Sequence, residues 1–299
     1  MTKVAVIGAG AWGTAMACAL ERAKNDVLIW AMEEEVVESI NKKNENKIFL
    51  SGIKLSKKIK ATGELKDVKK SDVIYIVSPA QFLRNTCEKL VELKIKKSIP
   101  IVICSKGVEK GSLKMMSEVI AETMPNTPVV LSGPTFAHEV ANGLPASVTI
   151  ACQDRRVRNK VSKITESDSF KVFKSNDIVG AQIGGSVKNV LAIACGMAEG
   201  KHLGENAKAA LITRGLKEMK RLCVKKGGKP KTLMELCGVG DVILTCSSQQ
   251  SRNYSLGFAL GKGKTLEEIM SKRRTVAEGV ASSESVVALA KELGVDVPI

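Results

Sequence analysis

Along the first part of the chain, short apolar runs alternate with longer stretches that mix polar and apolar positions. Val4-Ala-Val-Ile7 is uncharged throughout and reads as a strand buried on both faces. Residues 26–30, 72–77, 100–104, 129–131, 146–151 and 170–173 read as further strands. Residues 14–23, 33–44, 81–93 and 112–124 fall between them and read as helices. Repeated strand–helix units with short apolar strands predict a doubly wound parallel sheet. After about residue 181 the strand signal stops. Residues 187–197, 207–224, 255–260, 265–270 and 282–293 all read as helix, and Gly227-Gly228 with Pro230 interrupts them once. There is no internal repeat and no low-complexity segment.

The first strand runs straight into Gly8, Gly10 and Gly13, which form G-x-G-x-x-G at the start of a helix. That order of strand, glycine turn and helix is the setting of a dinucleotide fingerprint. Gly8 permits the tight turn, Gly10 lets the backbone approach a pyrophosphate, and Gly13 lets helix and strand pack closely. The helix N-terminus adds free N–H groups and a partial positive charge. Two other readings fit the same stretch. Val4 to Leu20 follows Lys3, lacks charge and contains Ala17-Cys18-Ala19, as a signal peptide would. Against that reading, glycines at this spacing break an apolar helix, and the sheet needs the strand. The glycines also suit an ordinary tight turn with no ligand. The expected architecture is α/β: a Rossmann-type doubly wound parallel sheet over residues 1–181, then an all-helical domain over residues 182–299.

Composition narrows the class. With 299 residues, 26% charged and 44% hydrophobic, the chain matches a globular protein with a large core. Every long apolar run carries glycine interruptions, so no transmembrane helix is expected. The eight cysteines include no C-x-x-C pair and sit mostly in apolar segments, as small core residues of a cytoplasmic protein would. His138 and His202 are the only histidines, which disfavours a histidine metal site. The net charge of +15 would suit nucleic acid. However, the basic clusters at 57–58, 94–97, 155–160, 225–231 and 272–274 fall between elements or on polar helix faces, and only 3% of residues are aromatic. Solvated faces are the preferred reading, with a general field that attracts anionic small molecules.

Polar clusters then recur at strand ends and helix starts, where a scaffold does not need them. They are Cys104-Ser-Lys106-Gly107, Ser132-Gly-Pro-Thr-Phe-Ala137, Gly184-Gly-Ser-Val-Lys188-Asn189, Gly238-Val-Gly-Asp241-Val-Ile-Leu-Thr245 and Gln250-Ser-Arg252-Asn253. If residues 241–245 are helical, Asp241 and Thr245 share one face. Taken singly, Lys188 reads as a surface lysine, Asp241 as a helix cap and Arg252 as half of a surface ion pair.

Taken together and in this order, the clusters resemble the NAD(P)-dependent glycerol-3-phosphate dehydrogenase family of the bacterial biosynthetic type. The resemblance runs through 7–15, 105–107, 132–139, 182–192, 205–218, 238–246, 250–253 and 276–279. It implies an NAD(P)H-binding Rossmann-type domain and a helical substrate domain. The implied reaction interconverts dihydroxyacetone phosphate and sn-glycerol 3-phosphate, a phospholipid precursor. It implies a catalytic proton-exchanging role for Lys188, with Lys106 contacting both cofactor and substrate. It also implies substrate contacts at Gly133, Thr135, Asp241, Ser251, Arg252 and Asn253. Implied cofactor contacts are Ala11 and Trp12 in the glycine turn, then Ala137, Arg252, Val276 and Glu278.

The chemistry agrees with those roles. Ketone reduction needs a hydride at carbon and a proton at oxygen, and a lysine ammonium can stabilise the alkoxide and protonate it. The candidate catalytic set is therefore Lys188, Lys106, Asp241 and Thr245. Arginine's planar fork suits a phosphate dianion. Two departures from the family pattern stand out. The chain stops at Val297-Pro298-Ile299, short of the further helices expected of the family. At the end of the second strand, Met32 precedes Glu33-Glu-Glu35, and acidic groups near a ribose disfavour a 2′-phosphate, which leans towards NAD(H). The same glutamates also suit the first turn of a helix. The nearest enzymatic alternative is a 6-phosphogluconate or β-hydroxyacid dehydrogenase. The alternative from another class is a basic nucleic-acid-binding protein. The expected partner is a small molecule, with no nucleic acid and no membrane insertion; a homodimer stays open.

Overall fold

The computed structural model describes residues 1–271 and 278–299, with the Glu278 side chain outside the description. The chain divides into two compact units. The first comprises Met1–Ser105, Met116–Leu131 and Thr135–Ile178; the second comprises Lys106–Met115, Ser132–Pro134 and Val179–Ile299. The sequence-based boundary after residue 181 falls inside a helix, because the long helix Ile178–Gly200 starts earlier than its apolar stretch suggests.

An eight-stranded sheet forms the first unit, in the order β10-β9-β8-β7-β6-β1-β2-β5. The strands are β1 Lys3–Ile7, β2 Asp26–Trp30, β5 Lys60–Thr62, β6 Val73–Ile76, β7 Ile101–Ile103, β8 Pro128–Ser132, β9 Ala146–Ala151 and β10 Phe170–Ser175. A separate antiparallel hairpin joins β3 Glu45–Asn46 to β4 Leu50–Lys54. The sheet pairs with defined register are parallel, as in β1 with β2 and β1 with β6. β1 and β6 lie next to each other, away from the sheet edges, and Val4–Ile7 and Val73–Ile76 are buried throughout. That explains their unbroken apolar sequence. The helices of this unit are α1 Ala11–Arg22, α2 Glu34–Glu38, α3 Leu83–Glu92, α4 Met116–Thr123, α5 Ala137–Ala141 and α6 Arg155–Thr165. The stretch expected to be helical from residue 112 begins only at Met116. Residues before it close an antiparallel bridge between Val108 and Met115 in the second unit.

The second unit is helical: α7 Ile178–Gly200, α8 Gly204–Lys225, α9 Asp241–Cys246, α10 Arg252–Gly261, α11 Leu266–Met270 and α12 Glu278–Glu292. Its core gathers Ile183, Leu191, Met219, Leu222, Leu233, Val242 and Leu289. By length and composition α7 is apolar enough to cross a membrane, but it carries the glycine interruptions read in every long apolar run, and most of it is buried. Its glycines are where α10 comes closest. A Cβ on Gly196 would lie 2.1 Å from the Tyr254 carbonyl oxygen, and one on Gly257 would lie 2.0 Å from that of Ile193. All eight cysteines are buried, and none is in a disulfide. Among the described residues no group of acidic, histidine or cysteine side chains has the makings of a metal site.

Candidate active site

In the first unit, the glycine turn has the geometry its spacing implies. Gly8 has φ +109°, a conformation that glycine adopts without strain. A Cβ on Gly13 would sit 1.9 Å from the Gly8 carbonyl oxygen, so only glycine lets α1 start this close to the turn. A Cβ on Gly10 would meet nothing within 4 Å, so the turn is open there. No side chain caps the N-terminus of α1. Its first-turn N–H groups, including those of Ala11 and Trp12, are thus arranged as an anion site. These residues fit a dinucleotide pyrophosphate. At the end of β2, Met32 is exposed, and Glu34 and Glu35 occupy the first turn of α2, where the helix dipole favours acids.

In the second unit, residues far apart in sequence meet around one carboxylate. Asp241 starts α9 and is fully buried. Its Oδ1 accepts from Lys188 Nζ at 2.5 Å, and its Oδ2 accepts from Lys106 Nζ at 2.7 Å. Thr245, one turn along α9, accepts from Lys188 Nζ at 3.0 Å and donates to Asp241 Oδ1 at 3.3 Å. Lys106 Nζ also reaches the Gly133 carbonyl oxygen at 3.4 Å. The glycines of α7 let these groups converge. A Cβ on Gly184 would lie 2.0 Å from the Cys237 carbonyl oxygen, and one on Gly185 would crowd the Lys106 stem at 3.3 Å. Lys188 is therefore a buried lysine rather than a surface one.

Two cations around one carboxylate leave the cluster with a surplus positive charge while both lysines are protonated. Burial draws the Lys188 ammonium down to about 8. Asp241 opposes that shift and Lys106 adds to it. A lysine in this state can give up and recover a proton near neutral pH.

The remaining expected residues fall elsewhere. Ser251 is the N-cap of α10, where its hydroxyl accepts from Tyr254 N at 3.2 Å. Arg252 is exposed on the first turn of that helix. Asn253 is buried, and its Oδ1 accepts from Gly279 N at 3.1 Å. Thr135 follows β8 in the first unit, and Ala137 opens α5. Val276 and the Glu278 side chain lie outside the described residues. One polar group had no assigned role in the sequence reading. The Ser132 hydroxyl, at the end of β8, is buried without a partner among the described residues and lies 3.2 Å from a Cβ built on Gly185. The serine opens one of the polar clusters seen in the sequence, but nothing in that cluster marks its hydroxyl as buried.

An open glycine turn on a parallel sheet, followed along the chain by a helical unit that buries a lysine–carboxylate–lysine cluster, defines a dinucleotide-dependent oxidoreductase. Residues 3–158 match the family described as NAD-dependent glycerol-3-phosphate dehydrogenase N-terminus, and residues 177–299 match its C-terminus. The glycerol-3-phosphate dehydrogenase (NAD(P)+) of Caulobacter vibrioides is 51% identical over 298 residues, covering 99% of this chain and 90% of that protein. That of Parvibaculum lavamentivorans is 49% identical, with 99% and 89% covered. A crystal structure of glycerol-3-phosphate dehydrogenase from Coxiella burnetii superposes with a TM-score of 0.95 at 36% identity, covering 99% of this chain and 91% of that one. The chain belongs to the NAD-dependent glycerol-3-phosphate dehydrogenase family, whose cofactor is NAD(P)H.

Proposed function

We propose that this protein transfers a hydride between NAD(P)H and dihydroxyacetone phosphate, yielding sn-glycerol 3-phosphate for phospholipid synthesis. The observation that carries the reading is the buried Lys188, held between Asp241 and Thr245. The cofactor, when bound, supplies the hydride that reduces the carbonyl carbon. Lys188 then acts as the general acid. As the carbonyl oxygen gains negative charge, an Nζ–H bond breaks and an O–H bond forms, leaving a neutral amine that regains its proton from solvent. In the reverse direction the neutral amine takes the hydroxyl proton.

Asp241 holds Lys188 in place and stabilises its charged form, while Thr245 fixes the direction of the ammonium. Lys106 adds a second positive charge for the developing oxyanion. Arg252 offers a planar fork to the phosphate, with Ser251 and Asn253 as neighbouring neutral groups. The turn from Gly8 to Gly13 holds the pyrophosphate of the cofactor.

The test is to mix the protein with NADH or NADPH and dihydroxyacetone phosphate and follow loss of nicotinamide absorbance. Stoichiometric sn-glycerol 3-phosphate is the expected product. Turnover with 6-phosphogluconate or a β-hydroxyacid, and none with this pair, would overturn the reading.

A further inference from the structure

The hairpin β3–β4 carries a buried polar side chain that the proposed chemistry does not use. Asn46 has no solvent exposure. Its Nδ2 donates to the Ala9 carbonyl oxygen at 2.7 Å and to Thr14 Oγ1 at 2.8 Å. Its Oδ1 accepts from Phe49 N at 3.1 Å. Thr14 Oγ1 in turn donates to the same Ala9 oxygen at 3.2 Å. Ala9 lies between the first two glycines of the turn, and Thr14 lies on α1. One amide therefore ties together three segments of the first unit: the hairpin, the glycine turn and the helix.

The peptide joining Ala9 to Gly10 is trans and planar, so its carbonyl and its N–H point in opposite directions. Asn46 and Thr14 fix the carbonyl on the hairpin side. The Gly10 N–H is thereby directed away from the hairpin. Gly8 and Gly10 have few steric restraints of their own, and a glycine-rich turn released from such ties would sample many orientations. Asparagine is suited to the task because a single side chain supplies two donors and an acceptor in one plane. Aspartate would set a buried anion against the Ala9 oxygen. Alanine or leucine would leave the Phe49 N–H without its acceptor and the Ala9 oxygen with one donor fewer.

We propose that Asn46 is a positioning residue for the dinucleotide, holding the Ala9–Gly10 peptide so that the N–H groups of the turn meet the pyrophosphate without reorganising. This rests on the reading that the Gly8–Gly13 turn binds NAD(P)H. Preorganisation of this kind acts on affinity, since the cost of ordering the turn is met in the folded protein and not at each binding event.

The experiment measures dissociation constants for NADH, by nicotinamide fluorescence, and for ADP-ribose, by calorimetry, in the parent protein and its Asn46→Ala variant. ADP-ribose shares the pyrophosphate and lacks the nicotinamide. Loss of two hydrogen bonds to the turn and helix should weaken both ligands by a common factor of about ten or more. The KM for dihydroxyacetone phosphate at saturating NADH should change less than about threefold, because the second-unit cluster is untouched. Thr14→Val is the milder companion variant. It keeps the volume, keeps the bond from Asn46 to Ala9 and removes one hydroxyl, so both ligands should weaken by about two- to fivefold. If Asn46→Ala does not fold, Thr14→Val decides the matter by itself. Cooperatively melting variants that bind both ligands as tightly as the parent would overturn the inference. Failure of the parent to bind either ligand would instead reject the reading of the turn, and this inference with it.

Discussion

Lys188 is poised between protonation states because burial and Lys106 favour the amine while Asp241 favours the ammonium. Lys188→Met keeps much of the volume and removes the proposed proton carrier, and turnover should fall by roughly two to four orders of magnitude. NADH binding, followed by fluorescence, should stay near normal. A folded variant that retains more than about a tenth of its turnover would remove Lys188 from the mechanism, with Lys106 next in line. The pH dependence has a definite sign. In the proposed mechanism reduction needs the ammonium, so its rate should decline as pH rises through about 8, while the reverse oxidation should gain over the same range. Asp241→Asn removes the group that raises this pKa, so the decline should move to lower pH; a limb that stays in place would show that Asp241 does not set it. Met32, at the end of β2, is 79% exposed and carries no positive charge, as the sequence-based leaning towards NAD(H) requires. NADH should serve at least as well as NADPH, and a tenfold or greater preference for NADPH in kcat/KM at equal ionic strength would refute that. At this scale the sequence singled out the polar clusters that contain Lys106, Lys188, Asp241 and Thr245, and the structure brings these four side chains together, although each taken singly reads as scaffold. Asn46 stayed hidden, since a single buried amide has no pattern around it.

Among the elements, α7 shows where pattern reading falls short. Sequence reading gave residues 187–197, yet the helix runs from Ile178 to Gly200. Gly180, Gly184, Gly185, Gly196 and Gly200 lower its intrinsic propensity, and close tertiary packing overrides that. Gly200 would place a Cβ 2.4 Å from the Phe258 carbonyl oxygen, and Gly261 would place one 2.5 Å from that of Met197. α7 and α10 thus meet backbone to backbone, with no room for a methyl group. Gly257→Ala, although it raises helix propensity, should destabilise the protein by about 1–3 kcal/mol through overpacking. A melting temperature equal to or above that of the parent would show that the crossing is looser than described. α6 was missed for a different reason. Its basic residues drew attention to charge, while the spacing of Val157, Val161 and Ile164 marks an apolar face. Asp154 caps it, accepting from Arg156 N at 2.7 Å and Val157 N at 3.0 Å. That cap followed by apolar residues at helical spacing was a readable signal. β5 is a short edge strand and carries too few residues to show a period.

For the molecule as a whole, every cysteine lies inside a core. A thiol reagent under native conditions should label none of the eight quickly, and all of them once denaturant is added. Rapid native labelling of several would mean that the cores open more readily than their burial suggests. The broad plan, a parallel sheet followed by a helical region, was legible because its periodicities differ so plainly. The exchange of segments 106–115 and 132–134 into the second unit was not, since no local pattern records which core a loop joins. That exchange governs the order in which the protein can be assembled. Lys106 must find a carboxylate 135 positions later in the chain, and Lys188 must find the same one 53 positions later. Closures of such length come at a high entropic cost before any contact compensates for it. On the ribosome both ammonium groups are made well before their counter-ion, and the lysine–carboxylate cluster is incomplete until residue 241 has been made and folded into place. Turnover is therefore a late reporter of refolding, one that follows the joining of distant chain segments rather than the formation of any single helix or strand.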